Sequence, residues 1–197
     1  MYNLKDTSFI FTEIKGSVNE MRNKAMEWLD NWLSLQIKQG VKGCLIFDID
    51  ETVIEEDPRN DKEILIKPVA NLYKKYRDMG VPVYFVTARP DVRGNHHETE
   101  KMLHSLGLGG YKNLFLMGKE FSGPRNYAVN KFKFTRRNEI SQECGNVLAR
   151  IGDMAWDSLP PPSTFKGDTN ILKTIKNEQC FIIFHPKLTE VSIKLPG

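Results

Sequence analysis

Three short apolar runs in this chain end in the same way, and that repetition restricts the folds open to it. Cys44-Leu45-Ile46-Phe47 runs into Asp48-Ile49-Asp50-Glu51-Thr52. Val83-Tyr84-Phe85-Val86 runs into Thr87, and Val147-Leu148-Ala149-Arg150-Ile151 runs into Gly152-Asp153, with Asp157 just beyond. Each run has the length and apolarity of a buried strand, and helical patterns separate them. Alternating strands and helices argue for a doubly wound, mainly parallel α/β sheet. In such a sheet the carboxyl ends of the strands form the ligand crevice. The polar clusters, far apart in sequence, would then meet at one edge.

The rest of the pattern fills in around these strands. Ser17 to Gln39 reads as an amphipathic helix, opened by the capping box of Ser17 and Glu20 and stopped at Gly40. Its apolar positions Val18, Met21, Ala25, Trp28, Leu29, Trp32 and Leu33 recur at helical spacing, which puts both tryptophans in the core; framing a substrate is the alternative. Thr52 to Lys67 reads as a polar loop, and Pro68 opens a helix that ends near Gly80. Strands are expected at 43–48, 81–87, 114–117, 147–151 and 179–185, and helices at 99–106 and 131–144. Pro160-Pro161-Pro162 breaks regular structure at 159–163. The whole chain, 1–197, reads as one domain: an N-terminal helical segment 1–40, a core 41–159 and a C-terminal extension 160–197.

The chemistry of the converging clusters is informative. Asp48 and Asp50 are two residues apart, so on a strand they would face opposite sides. Both reach one site only if the strand ends near Asp48 and the chain turns. Crowded carboxylates repel unless a cation neutralises them, and a hard cation with oxygen ligands fits, which means Mg2+. Asp153 would add a further carboxylate. A carboxylate beside a metal can attack phosphorus, and a second can pass protons to a leaving group. The Thr87 hydroxyl and the Lys133 ammonium can hold phosphoryl oxygens as charge shifts.

Composition excludes several alternatives. With 197 residues there is room for one substantial core. A net charge of +3 is too mild to demand a polyanionic partner. Cys44, Cys144 and Cys180 form no Cys-x-x-Cys pair and are odd in number, which predicts reduced thiols and neither a disulfide framework nor a zinc site. The opening residues lack the pattern of a signal peptide, and no apolar run approaches membrane-spanning length. A cytoplasmic protein with no membrane partner is the expectation. Nothing in the sequence sets an oligomeric state.

Asp-x-Asp-x-Thr after the first core strand, Thr after the second, then a Lys, then Gly-Asp-x-x-x-Asp after the fourth resemble the haloacid dehalogenase superfamily. Further details narrow the likeness: Thr87-Ala88-Arg89-Pro90, Gly110-Tyr111-Lys112-Asn113-Leu114, Phe132-Lys133 with Arg137, and Ile151-Gly152-Asp153-Met154-Ala155-Trp156-Asp157. They resemble the acid phosphatase branch, which takes in plant acid phosphatases, vegetative storage proteins and bacterial class B and C enzymes. The resemblance runs from about Leu33 to Leu159, with a weaker echo at Ile193-Lys194-Leu195-Pro196.

The resemblance implies a Rossmann-like sheet and a Mg2+-dependent phosphomonoesterase acting on a small phosphate ester. Asp48 would be the nucleophile. Asp50 would be the acid/base, with its backbone carbonyl on the metal beside Asp48 and Asp153. Thr87, Ala88 and Lys133 would bind phosphate. Asp157 would orient Lys133 or a metal-bound water, Thr52 would brace the turn or serve as a local hydroxyl cap, and Arg89 is a candidate substrate contact or a solvated loop residue. Neither interval where this superfamily inserts a cap domain leaves room for a large one. Lys131 is the rival of Lys133. The basic run Lys131, Lys133, Arg136, Arg137 reads as a solvated helix face, with nucleic-acid contact the less favoured account. His96 and His97 are adjacent, so on a helix they diverge, which argues against a metal site there. Two functional alternatives remain: a polynucleotide 3′-end phosphatase, and a non-catalytic storage or binding protein of the same fold.

Overall fold

The computed structural model describes residues 9–159, 175–185 and 190–197. Its main sheet has seven strands: β1 (Ile10–Ile14), β2 (Cys44–Phe47), β5 (Val83–Pro90), β6 (Asn113–Met117), β7 (Val147–Gly152), β8 (Cys180–His185) and β9 (Glu190–Lys194). Their order is β1-β8-β9-β7-β2-β5-β6. The five strands from β9 to β6 run parallel, while β8 pairs antiparallel with both β9 and β1. From β2 the chain winds outward through β5 and β6, then returns to place β7 on the other side of β2. The strand order therefore reverses at β2, and its carboxyl end is the switch point where such sheets bind ligands.

Helices α1 (Val18–Lys38), α2 (Lys67–Asp78), α3 (Asn95–Ser105), α4 (Arg125–Cys144) and the short α5 (Ala155–Ser158) complete the described fold. Along β2, Leu45 and Phe47 enter a core with Leu29 and Leu33 of α1, Tyr73 and Tyr76 of α2 and Leu103 of α3. Cys44 and Ile46 point the other way, into a smaller core with Phe132 and Ile140 of α4. Burial on both faces is why β2 is a continuous apolar run. Among the described residues, neither position where a cap domain would be inserted carries one.

Helix α1 begins as its sequence predicts: the Ser17 hydroxyl accepts from Glu20 N–H, and Ser17 N–H donates to the Glu20 carboxylate at 2.8 Å. Trp32 packs against the core, but Trp28 is exposed and lies flat against the Trp32 ring. The expectation that both are core fails because residue 28 sits at the edge of the apolar stripe. Helices α3 and α4 start four to six residues earlier than their sequences indicate.

The expected loop at 52–67 is instead a hairpin, with β3 (Ile54–Asp57) paired antiparallel to β4 (Lys62–Leu65). Its residues are mostly charged, so no apolar alternation announced it. Backbone bonds across the pair form regardless of side chain. Strands β1 and β9 were not foreseen either. β1 is a half-exposed edge strand, and β9 buries polar Glu190, Ser192 and Lys194. Of the break expected at 159–163, residues 160–163 lie outside the described residues.

The cysteines are a clear correction. Cys44, which opens β2, is disulfide-bonded to Cys144, which closes α4, while Cys180 is free and buried. After α4 the chain returns beside the start of β2, where Cys44 N–H donates to Asn146 O at 2.9 Å. That apposition joins cysteines 100 residues apart. Such bonds are uncommon in cytosolic proteins, so the thiols lend no support to a cytoplasmic location. No described helix is long and apolar enough to cross a membrane.

Candidate active site

Asp48 is the first residue past β2, and its N–H still donates to Ile151 O of β7 at 2.9 Å. The chain then turns at once. Ile49 O accepts from Thr52, Val53 and Ile54 N–H at 3.3, 2.9 and 3.2 Å, closing one tight turn. Within it Glu51 takes φ 53°, the left-handed region a non-glycine residue rarely adopts. The turn separates the two aspartates. Asp48 stays inside, 7% exposed, while the Asp50 side chain reaches the mouth and is about half exposed, at 51%.

Around Asp48 lies a dry cluster of charge. Lys133 of α4 is 2% exposed. Its Nζ stands 2.7 Å from Asp48 Oδ2 and bonds to Asp157 Oδ1. Asp157 Oδ2 accepts from Met154 N–H at 3.0 Å, so both Asp157 oxygens are in use. Asp153, at the end of β7, joins them: ligand atoms of Asp48, Asp153 and Asp157 all lie within 4.8 Å of one another. Gly152 is what allows this approach, since a Cβ there would sit 2.2 Å from Asp157 Cβ. Asp48 Oδ1 is buried with no hydrogen-bond partner among the described residues. A void of about 10 Å³, lined by Asp48, Lys133, Arg137 and Asp157 with apolar neighbours, lies against the cluster.

Burial drives the electrostatics. It pushes Asp48 well above the ordinary carboxylate range; Lys133 opposes the shift, and Asp157 and Asp153 add to it. Burial and Asp157 raise Asp153 to about 7. Burial also works against the Lys133 charge, but Asp157 and Asp48 outweigh it, so the ammonium persists. Were all three carboxylates ionised, the ammonium bonded to two of them would leave a surplus of two negative charges. A divalent cation removes that surplus, and Asp48 Oδ1 is an oxygen ready to receive it.

Thr87 is buried at the end of β5 and donates from Oγ1 to Asp50 Oδ2 at 3.4 Å. Pairing of β5 with β6 shifts between Thr87 and Pro90, so Ala88 and Arg89 form an irregularity that re-aims the chain at the site. Arg89 grips Asp50 from Nη2 at 2.7 Å and from Nε at 3.1 Å, and reaches Glu63 of β4 at 2.6 Å. Thr52 is fully buried, its N–H donates to Ile49 O within the turn, and its hydroxyl has no partner among the described residues.

Sequence comparison agrees with this geometry. Residues 58–175 match the model of the HAD superfamily, subfamily IIIB (Acid phosphatase). The chain belongs to that family. As an acid phosphatase of this superfamily it is a phosphomonoester hydrolase. Thr87, Lys133, Asp153 and Asp157 fall within the matched residues, and Asp48 and Asp50 precede them. A solved structure, the class C acid phosphatase from Bacillus anthracis with tungstate bound, superimposes with a TM-score of 0.62 at 16% identity, over 93% of this chain and 79% of that one. That likeness speaks to the fold. No curated protein matches the chain.

The candidate site has a second zone. A concavity of about 440 Å³ opens at Asp50, lined by Glu51, Ile54, Glu55, Glu56, Asp61 and Glu63. Glu63 and the hairpin were not anticipated, because a charged β4 gives no periodic signal. Arg137 was noted only for its spacing, yet it is 2% exposed, bonding Trp156 O and, at 2.9 Å, Leu159 O, which ties down the turn that carries Asp157. The basic run is thus not a solvated face: Lys133 and Arg137 point inward, Arg136 covers the rings of Phe115, Phe121 and Phe132, and Lys131 is exposed. The echo at 193–196 also acquires a role. Lys194 Nζ caps the carbonyls of Lys176, Asn177 and Gln179 at 2.9, 2.5 and 2.7 Å, and Leu195 N–H donates to Gly152 O beside Asp153. His96 and His97 belong to no metal-capable cluster among the described residues.

Proposed function

We propose that this phosphatase is Mg2+-dependent and works through an aspartyl-phosphate on Asp48. One observation carries the reading: Lys133 is clamped between Asp48 and Asp157 beside Asp153, while Asp48 Oδ1 is left without a hydrogen bond. Asp48 and Asp153, with the backbone carbonyl of Asp50, are the ligands this reading gives Mg2+. Asp157 is the less favoured ligand because each of its oxygens already accepts a hydrogen bond, from Lys133 and from Met154 N–H. The cation supplies positive charge between the carboxylates and the phosphate dianion.

In the proposed cycle Asp48 attacks phosphorus while the bond to the ester oxygen breaks. Asp50 gives its proton to that oxygen. Water then attacks the phosphorus of the aspartyl-phosphate, Asp50 takes up a proton, and phosphate leaves with Asp48 restored. Lys133, the Thr87 hydroxyl and the Ala88 backbone hold the phosphoryl oxygens, and Arg89 contacts the substrate at the mouth. The substrate is a small phosphomonoester. The carboxylates lining the mouth repel a polynucleotide backbone, which disfavours the end-phosphatase alternative. The retained Asp48–Lys133 pair disfavours a storage role.

Asp48→Asn tests the reading, because a neutral amide cannot form the acyl phosphate. Turnover of an aryl phosphate should vanish with the circular dichroism spectrum unchanged, and EDTA should silence the unmodified protein until Mg2+ is returned. Appreciable turnover by the variant, or full activity in chelator, would sink the nucleophile or the metal assignment respectively.

A further inference from the structure

Arg22 belongs to no motif, lies 26 residues before Asp48 in sequence, and sits on the buried side of α1 beside Met21, Ala25 and Met26. It is 4% exposed. A guanidinium is not retained on such a face without partners. Its Nη1 stands 2.6 Å from Glu55 Oε2, and its Nη2 stands 4.0 Å from Glu51 Oε2. Glu51 directly follows Asp50. Glu55 lies in β3, on the far side of the same turn. The guanidinium therefore spans the turn that carries Asp50 and ties it to α1.

That turn needs an external tie. Glu51 occupies φ 53°, a conformation that persists in a non-glycine residue only where the surroundings over-determine it. Asp50 itself is gripped from the opposite side by Arg89. Two arginines thus set how Asp50 is presented. Arg89 acts on its side chain at the mouth, and Arg22 acts on its backbone from behind, through Glu51 and Glu55.

We propose that Arg22 is a positioning residue for Asp50: by holding Glu51 and Glu55 it fixes the turn that aims this carboxyl at the ester oxygen. The inference rests on the reading of Asp50 as the general acid. An aryl phosphate releases its leaving group with little help from a proton donor, whereas an alkyl phosphate depends on one. A purely structural arginine would affect both substrates equally. A positioning arginine would affect the alkyl ester more.

The test is kcat/KM with p-nitrophenyl phosphate and with a simple alkyl phosphate, both with Mg2+, in Arg22→Gln, Arg22→Lys, Glu55→Gln and Asp50→Asn. Arg22→Gln should lose roughly ten- to a hundredfold on the alkyl ester and only about threefold on the aryl ester, the range a small misplacement of a catalytic group produces. Arg22→Lys should recover part of the alkyl activity. Glu55→Gln, at a side chain 32% exposed, should show the same contrast more weakly and serves if Arg22→Gln fails to fold. Equal losses on the two esters, or no loss, would overturn the proposal. Asp50→Asn should give the strongest contrast. If it gave none, the acid role of Asp50 would fall, and the positioning role with it, by an outcome distinct from failure at Arg22.

Discussion

The two halves of the site are built on opposite principles. Around Asp48 every charged group is buried and is supplied by the ends of β2 and β7 or by α4 and α5, with Lys133 joining Asp48 to Asp157 and Met154 N–H holding Asp157. Around Asp50 the groups are half exposed, come from the hairpin β3–β4 and the end of β5, and are held by arginines. The proposed covalent chemistry at phosphorus would tolerate little displacement, and burial among regular elements supplies that rigidity. Leaving groups differ in shape, and a two-stranded hairpin has low stability of its own. Its side chains can therefore adjust at small cost. A fixed phosphate pocket under an adaptable mouth suits a phosphatase without a large cap.

If this contrast is right, removing charge from the inner half should cost far more than removing it from the mouth. Lys133→Met should lower kcat by about 10²–10³, or roughly 3–4 kcal/mol, as for other preorganised charge-stabilising groups. Lys131→Met should change little, since Lys131 is exposed on α4. Steady-state kinetics on an aryl phosphate would show it, and the reverse result would hand the role to Lys131.

At the mouth, Arg89→Met should cost about tenfold in kcat/KM on an aryl phosphate, mostly through KM, because an aryl leaving group asks little of Asp50 and the proposed contact of Arg89 with substrate persists from ground state to transition state. A loss as large as that of Lys133→Met, carried by kcat, would erase the distinction between the halves.

The last effect is on stability and not on rate. The folded-state carboxyl of Asp153 titrates at about 7, against an ordinary value of 3.8. Between these values the folded chain binds more protons than the unfolded one, so stability is present below about 4 and falls as pH rises towards 7. The melting temperature of metal-free protein should drop across that window, roughly 2–4 °C per kcal/mol lost in a chain of this size. Mg2+ should restore it at neutral pH. A flat profile without metal would mean the inner carboxylates are already balanced.

Much of this was legible in one dimension. The parallel core, the crevice at the strand ends and the Ser17–Glu20 cap follow from apolar runs and the polar residues that bound them, whereas the role proposed for Lys133 came from the family resemblance. These signals are local, since a strand buried on both faces must be apolar along its length and a capped helix announces its own start. The exclusion of a large cap also came from counting residues between motifs. Other features have no local signature. The charged hairpin carries no alternation, β1 and β9 exist by pairing with β8, and Arg136 and Arg137, adjacent in sequence, face different surroundings.

What the sequence determined by itself, then, is which polar groups gather and at which edge of the sheet, because apolar patterning and motif order are properties of the chain alone. Only the tertiary structure decided what holds them there: Cys44 bonded to Cys144 across 100 residues, Arg22 behind the turn, Arg89 shared between Asp50 and Glu63, and Asp157 held by Lys133 and Met154 N–H. A bond between residues on separate elements depends on how those elements pack, and no pattern within either element records its partner.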